Sequence, residues 1–222
     1  MVSDKIKQII RDVPDFPKPG IIFKDITPIL KNPELCNEIA EALAEQLIDV
    51  EIDVVAGIES RGFLFGLALA QQLNVPFVPI RKAGKLPYKT IQQSYDLEYG
   101  SATLEIHEDA VGHGDTVLIV DDVMSAGTAA RESIELIKKA GATAHAIAIA
   151  LDRQEMATEV QADGSVKDVQ HSAVQYVRNT LGMSVCCIAE LSDLLAYLST
   201  QSGNEMGQHL PKVQAYRDRY GV

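Results

Sequence analysis

Short runs of consecutive apolar residues alternate along the chain with longer amphipathic runs, and this alternation predicts an α/β fold. A run of about four to eight apolar residues is typical of a strand buried on both faces, whereas apolar residues three or four apart are typical of a helix. Repeated strand–helix alternation predicts a doubly wound, mostly parallel sheet flanked by helices. Strands are predicted at 53–57, 75–80, 117–120, 144–151 and 183–188, and helices at 32–47, 63–73, 130–140, 168–181, 191–198 and 205–220.

The N-terminal stretch departs from this alternation. A short helix is predicted at 3–12, and Pro14, Pro17 and Pro19 then interrupt regular structure. A short edge strand is predicted at 21–26. We therefore interpret residues 1–30 as a small N-terminal segment that precedes the α/β core.

The rest of the chain divides into a core at 31–200 and a C-terminal helix within 201–222. Inside the core, the stretch 82–105 is long, rich in charge and weakly periodic. Long segments of this kind are usually functional loops, so we predict a lid here, with a plain β-ribbon as the alternative. A polar hairpin or loop is predicted at 157–167.

Composition narrows the classes of protein to which the chain can belong. The net charge of −11 argues against a nucleic-acid-binding surface. Three cysteines offer no disulfide framework, which fits a cytoplasmic protein. No apolar run is long enough to cross a membrane, and no His or Cys has the spacing of a metal site. We expect no membrane association and no metal bound directly by side chains.

The most informative stretch is the predicted strand 117–120 and the residues after it. Asp121 and Asp122 come next, and the small residues 125–128 follow before a predicted helix. A strand, a tight turn and a helix start form a phosphate site, because backbone N–H groups and the helix dipole favour an anion. Carboxylates would repel that phosphate, so we expect the two acids to bind another part of the ligand. A pair of sugar hydroxyls is suitable, because ionised carboxylates are strong hydrogen-bond acceptors. A structural helix cap is the alternative reading.

Basic residues follow the other predicted strands. Arg61 lies after 53–57, while Arg81 and Lys82 lie after 75–80. Ligands of open parallel sheets bind at the carboxyl ends of the strands. The sequence therefore predicts that cations and the paired acids meet at one edge of the sheet, where a pyrophosphate could bind.

The string 117–128 resembles the phosphoribosyl pyrophosphate (PRPP) loop of the type I phosphoribosyltransferases. The chain from about 15 to 122 is similar to adenine phosphoribosyltransferases, through the strings at 15–20, 23–26, 59–66, 81–87 and 95–100. From about 120 to 222 it resembles orotate phosphoribosyltransferases, through 121–123, 125–129, 131–133, 151–155, 194–198 and 216–222. We therefore interpret the chain as a hybrid of two homologous enzymes.

The resemblance implies transfer of a phosphoribosyl group from PRPP to adenine, which yields AMP and pyrophosphate and requires Mg²⁺ carried on PRPP. It implies catalytic roles for Glu98, Asp121 and Asp122, and a homodimer that acts in purine salvage. The implied PRPP-binding residues are Arg61, Arg81, Lys82, Lys85, Asp121, Asp122, Ser125, Ala126, Gly127, Thr128 and Ala129. The implied base-binding residues are Ile22 and Phe23 of the N-terminal segment, which would form a hood over the base, with Arg61 and Arg153.

Three other functions remain open at this point. Orotate transfer is supported by Arg153 and by the C-terminal half of the chain. A PRPP-sensing regulator is disfavoured by the acidic charge and by the short N-terminal segment. The third is a folded hybrid with little activity, since a displacement of about 1 Å at a site can cost on the order of a hundredfold in rate.

Overall fold

The computed structural model describes residues 2–14, 22–97, 100–124, 127–160, 166–200 and 210–222. The strands are β1 (Arg11–Pro14), β2 (Ile22–Asp25), β3 (Val54–Ile58), β4 (Phe77–Lys82), β5 (Thr90–Leu97), β6 (Gly100–His107), β7 (Thr116–Met124), β8 (Thr143–Asp152), β9 (Met156–Val160), β10 (Val166–Ser172) and β11 (Ser184–Glu190). The helices are α1 (Val2–Ile9), α2 (Pro33–Gln46), α3 (Gly62–Leu73), α4 (Thr128–Lys139), α5 (Ala173–Asn179), α6 (Leu191–Thr200) and α7 (Leu210–Tyr220), with a short 3-10 helix at Thr27–Lys31.

A seven-stranded sheet in the order β11-β8-β7-β3-β4-β6-β5 forms the centre of the protein. The strands from β11 to β4 pair in parallel, and β6 and β5 extend that sheet antiparallel. Helices cover both of its faces. The predicted α/β fold with a mostly parallel sheet is therefore confirmed.

Strand β7 shows why the sheet is buried on both faces. Residues 117–120 are fully buried, and their side chains alternate between two apolar cores. One core contains Val117 and Ile119 with residues of α4 and α5. The other contains Leu118 and Val120 with residues of α1, α2 and α3.

The N-terminal segment contains more strand than the sequence predicted. The helix expected at 3–12 ends at Ile9, because 11–14 pairs antiparallel with β2, Arg11 opposite Asp25. The expected edge strand is present as β2. Helix α2 begins as predicted, since the side chain of Asn32 accepts a hydrogen bond from the N–H of Leu35 (3.1 Å).

Most of the stretch 82–105, where a lid loop was predicted, is strand and not loop, and its role as a lid stays a prediction. Strands β5 and β6 pair along their whole length and continue the central sheet through β4. The predicted β-ribbon alternative is the form found, because β5 and β6 order each other by antiparallel pairing although the segment has little periodicity of its own. Glu98 lies outside the described residues.

Two other element boundaries differ from prediction. The helix expected at 168–181 begins only at Ala173, because residues 166–172 pair with β9 and Ser172 then caps the helix through a capping box with Gln175. Asp121 and Asp122 lie within β7 and not after it, since β8 pairs alongside as far as Met124. The first part of the helix predicted at 205–220 lies outside the described residues. No helix in the described ranges is long and apolar enough to cross a membrane.

Candidate active site

The carboxyl ends of β3, β4, β7 and β8 lie side by side in the sheet. The segments that leave these ends carry Glu59 to Arg61, Arg81 to Lys85, Asp121 to Met124, and Arg153. This edge of a parallel sheet is where α/β proteins bind their ligands. The predicted meeting of cations with the paired acids is therefore present.

Arg61 and Asp122 form an ion pair, with Nε 3.0 Å from Oδ2. Gly62 makes this approach possible, because a Cβ at its position would lie 2.5 Å from the carbonyl oxygen of Val120. The start of α3 thus packs directly on β7. Asp122 is 4% exposed. Within the described part of the chain, no group donates a well-aligned hydrogen bond to its buried Oδ2, so the carboxylate keeps acceptor capacity.

Asp121 and Asp122 place two carboxyl groups on consecutive residues of one strand. Burial raises the pKa of Asp121 well above its usual range, and the adjacent Asp122 carboxylate raises it further. The Oδ1 atom of Asp121 accepts a hydrogen bond from the N–H of Asp122 (2.8 Å). A buried acid whose pKa is raised by burial and by a neighbouring acid is typical of a functional site.

Helix α4 begins next to these acids. Gly127 precedes it with a φ of 79°, and a Cβ there would lie 2.7 Å from the Cβ of Ala173. Both the backbone conformation and the close approach require glycine. The N–H groups of Thr128 and Ala129 are among those that have no acceptor within a helix, so they can bind an anion. Ser125 and Ala126 lie outside the described residues.

Glu59 organises the basic segment that follows β4. Its Oε2 accepts hydrogen bonds from Arg81 Nε and from the N–H of Lys82, both at 3.1 Å. Arg81 also donates from Nη1 to the carbonyl oxygen of Lys85 (3.1 Å). The segment therefore presents cations on a fixed backbone, which suits binding of a pyrophosphate.

Residues 25–179 match the model of the phosphoribosyl transferase domain family. The adenine phosphoribosyltransferase of Thermobifida fusca is 51% identical over 151 residues, 68% of this chain and 86% of that protein. A crystal structure of adenine phosphoribosyltransferase from Thermoanaerobacter pseudethanolicus is 39% identical, with a TM-score of 0.70 over 86% of this chain and 99% of that chain. The enzyme from Saccharomyces cerevisiae, complexed with an imino-altritol bisphosphate and adenine, is 39% identical, with a TM-score of 0.64 over 68% of this chain and 88% of that chain.

The chain belongs to the phosphoribosyltransferase family. It is an enzyme of the glycosyltransferase class. The resemblance to the adenine phosphoribosyltransferases is confirmed by relatives at about half identity, such as that of Carboxydothermus hydrogenoformans, 51% identical over 147 residues (66% of this chain and 86% of that protein).

Arg153 already has partners inside this phosphoribosyltransferase, whereas its sequence motif predicts a contact with the base. Its Nε lies 2.7 Å from Glu155 Oε1, and its guanidinium also donates to the hydroxyl of Tyr216 and lies over that ring. Tyr216 in turn donates to Glu155. The predicted base-contacting cation is thus paired within the protein by Glu155 and contacted by Tyr216 of α7.

Most of the predicted site residues that the structure describes lie at this edge of the sheet. They are Arg61, Arg81, Lys82, Lys85, Asp121, Asp122, Gly127, Thr128 and Ala129. For Ile22 and Phe23 the backbone lies in β2, but their side chains are outside what the structure describes.

Sequence reasoning assigned no role to Glu59, Glu105 and Tyr216. Glu59 and Tyr216 stand inside the strings that carry the resemblance, but their partners are distant in sequence. One local feature of the sequence marks Glu105, because it is an acidic residue between the apolar residues Leu104 and Ile106.

Proposed function

We propose that this enzyme transfers a 5-phosphoribosyl group from PRPP to adenine and releases AMP and pyrophosphate. The observation that carries the proposal is the pair formed by the buried Asp122 and Arg61 beside the start of α4. A buried carboxylate oxygen that lacks an aligned donor suits a ribose hydroxyl, provided that Arg61 moves as the ligand binds. The adenine assignment rests on the relatives reported above.

The reaction breaks the bond from the ribose carbon to pyrophosphate and forms a bond from that carbon to a purine nitrogen. Positive charge develops on the ribose ring and negative charge on the leaving pyrophosphate. Asp121 and Asp122 would bind the ribose hydroxyls and stabilise the cationic ring. Ser125 to Ala129 would hold the 5-phosphate through N–H groups and hydroxyls. Arg81, Lys82 and Lys85 would stabilise the pyrophosphate.

Proton transfer and the base site belong to the same proposal. Glu98 would accept the proton that the attacking purine nitrogen loses. Ile22 and Phe23 would cover the base as part of the hood at 1–30, with Arg61 beneath it. In this proposal the rest of the protein is the core at 31–200, followed by the helix within 201–222.

Magnesium would be supplied with PRPP. Mg²⁺ prefers oxygen ligands and keeps several waters, so pyrophosphate oxygens and water would hold most of its coordination sphere. Asp121 and Asp122 offer side-chain oxygens of the kind it binds at this edge of the sheet. Among the described residues, no three His, Cys, Asp or Glu side chains cluster as a metal site. The ion would neutralise charge on the leaving pyrophosphate.

The hybrid character of the chain also remains a proposal. The family model ends at 179, so β11, α6 and α7 lie beyond it. We assign the part from about 120 to 222, which includes these elements, to the orotate type on the motifs given above. Orotate transfer is then the second candidate function, but the pairing of Arg153 with Glu155 disfavours it, because a neutralised cation attracts an acidic base less strongly. We also propose a cytoplasmic homodimer.

One experiment tests the assignment. The purified enzyme is incubated with PRPP, MgCl₂ and adenine or orotate in turn, and pyrophosphate release is followed. We expect release with adenine and much slower release with orotate. Faster release with orotate would reverse the assignment, and release with neither base would contradict it.

A further inference from the structure

Glu105 is a buried acid of β6 that takes no part in the reaction as proposed above. It is 2% exposed and lies opposite Arg81 in the β4–β6 ladder. A carboxylate this deeply buried is costly unless hydrogen bonds compensate for the lost water. The partners of Glu105 therefore reveal what it does.

The two carboxylate oxygens of Glu105 fasten two different parts of the chain. Oε1 accepts from the backbone N–H groups of Lys85 and Leu86, both at 2.9 Å. Oε2 accepts from Gln92 Nε2 at 3.1 Å and from Thr90 Oγ1 at 3.3 Å. Burial by itself favours the neutral acid, but hydrogen bonds from backbone groups of 84–86 and from Gln92 outweigh it and lower the pKa of Glu105. The group is therefore an anion in the folded protein.

The turn that Glu105 fastens is the one that carries Lys85. Gly84 adopts a φ of 81° there, and the N–H of Ala83 donates to the carbonyl oxygen of Thr103 (2.9 Å). The carbonyl oxygen of Lys85 accepts from Arg81, while its N–H donates to Glu105. Both backbone polar groups of Lys85 are thus fixed, although its side chain is exposed to solvent.

We infer that Glu105 is a positioning residue for pyrophosphate, which holds Lys85 and Arg81 in place to bind that anion together. The inference rests on the proposed function for the identity of the anion. A preformed pair of cations binds more tightly than a mobile pair, because the ordering entropy has already been lost on folding.

The test measures binding of inorganic pyrophosphate with MgCl₂ by calorimetry, without any base. We expect Glu105→Ala to weaken binding about tenfold, since ordering the backbone of one residue costs roughly as much free energy as a tenfold change in affinity. Glu105→Gln should stay within about threefold of the parent, because its amide oxygen can still accept from Lys85 and Leu86. Glu108→Gln is the matched control: this acid lies just beyond the same strand, but it is exposed and pairs only loosely with Lys89 (3.6 Å).

A double-mutant cycle separates positioning from general loosening of the fold. If Glu105 acts through Lys85, then Glu105→Ala should weaken pyrophosphate binding little further in a protein that already carries Lys85→Ala. Hydrogen exchange at the amides of 85 and 86 should become faster in Glu105→Ala and remain slow in Glu105→Gln. Should Glu105→Ala not fold, Glu105→Asp makes the same comparison, because the shorter side chain cannot reach both sets of donors.

Parent-like pyrophosphate binding in Glu105→Ala, or in Glu105→Asp where that variant stands in, would overturn the inference. So would fully additive losses in the cycle. A parent enzyme that binds pyrophosphate but does not turn over adenine would refute the proposed function and leave this inference intact.

Discussion

The ion pair between Arg153 and Glu155 allows a sharp test of how this site is stabilised. Glu155→Gln removes the charge but keeps an oxygen that can accept from Tyr216. The side chains of Arg153 and Glu155 are only 19% and 13% exposed, and the ions are 2.7 Å apart. Loss of one partner would leave a largely buried cation without its counter-ion.

Breaking a fully buried pair costs roughly 3–5 kcal/mol, and the residual exposure here reduces that to about 2–3 kcal/mol. For a protein of this size the unfolding midpoint should then fall by roughly 4–12 °C. Glu135→Gln is the matched control, because Glu135 also pairs with a cation at 2.8 Å but is 50% exposed. That change should alter stability by less than about 0.5 kcal/mol.

Thermal unfolding and adenine kcat/KM would be measured for both variants, for Arg153→Leu, and for Arg153→Leu combined with Glu155→Gln. The combined variant should recover most of the lost stability, since it leaves no unpaired charge. Arg153→Leu should leave adenine turnover unchanged or faster. Equal effects of Glu155→Gln and Glu135→Gln would refute the reasoning about burial. A large loss of adenine activity in Arg153→Leu would show that the C-terminal half sets base choice.

Four further predictions concern the acids of β7, the start of α4 and the assembly. Asp121→Asn combined with Asp122→Asn should abolish turnover in the pyrophosphate-release assay without unfolding the protein, and full activity would refute the assignment. Because folding raises the pKa of Asp121, its ionisation destabilises the fold above the ordinary Asp pKa of about 3.9, so Asp121→Asn alone should raise the unfolding midpoint near neutral pH and not in acid. Gly127→Ala should destabilise more than Gly114→Ala, since both glycines have positive φ but only Gly127 would place a Cβ 2.7 Å from another residue. Sedimentation should show a dimer at micromolar concentration, and an active monomer would contradict that proposal.

The sheet was predictable from the sequence because its central strands are continuous apolar runs. Residues 117–120 are an example, since a run with no polar side is stable only between two layers. Strands β5 and β6 were not predictable in this way. Their order comes from pairing with each other and with β4, and such pairing leaves no local periodicity in the sequence.

The site shows the same division between local and distant causes. That Arg61 meets Asp122, and that Arg81 lies at the same edge, follows from the rule that parallel strands end at one edge. Which group pairs with which does not follow from it. The N–H of Lys85 meets Glu105, and Arg153 meets Tyr216, only because the β-ribbon and α7 pack where they do.

The pairings inside the site bear on how it must bind an anion. Arg61 lies beside Asp122, Arg81 beside Glu59, and Arg153 beside Glu155. A protein with a net charge of −11 thus holds these cations close to its own carboxylates before any ligand arrives. If PRPP binds Arg61 as proposed, it would exchange that internal ion pair for a ligand pair, and the affinity would reflect the difference between the two. For Arg61 this exchange would also free the buried Asp122 for the ribose, so that arrival of the anion and exposure of the sugar-binding acid become a single event.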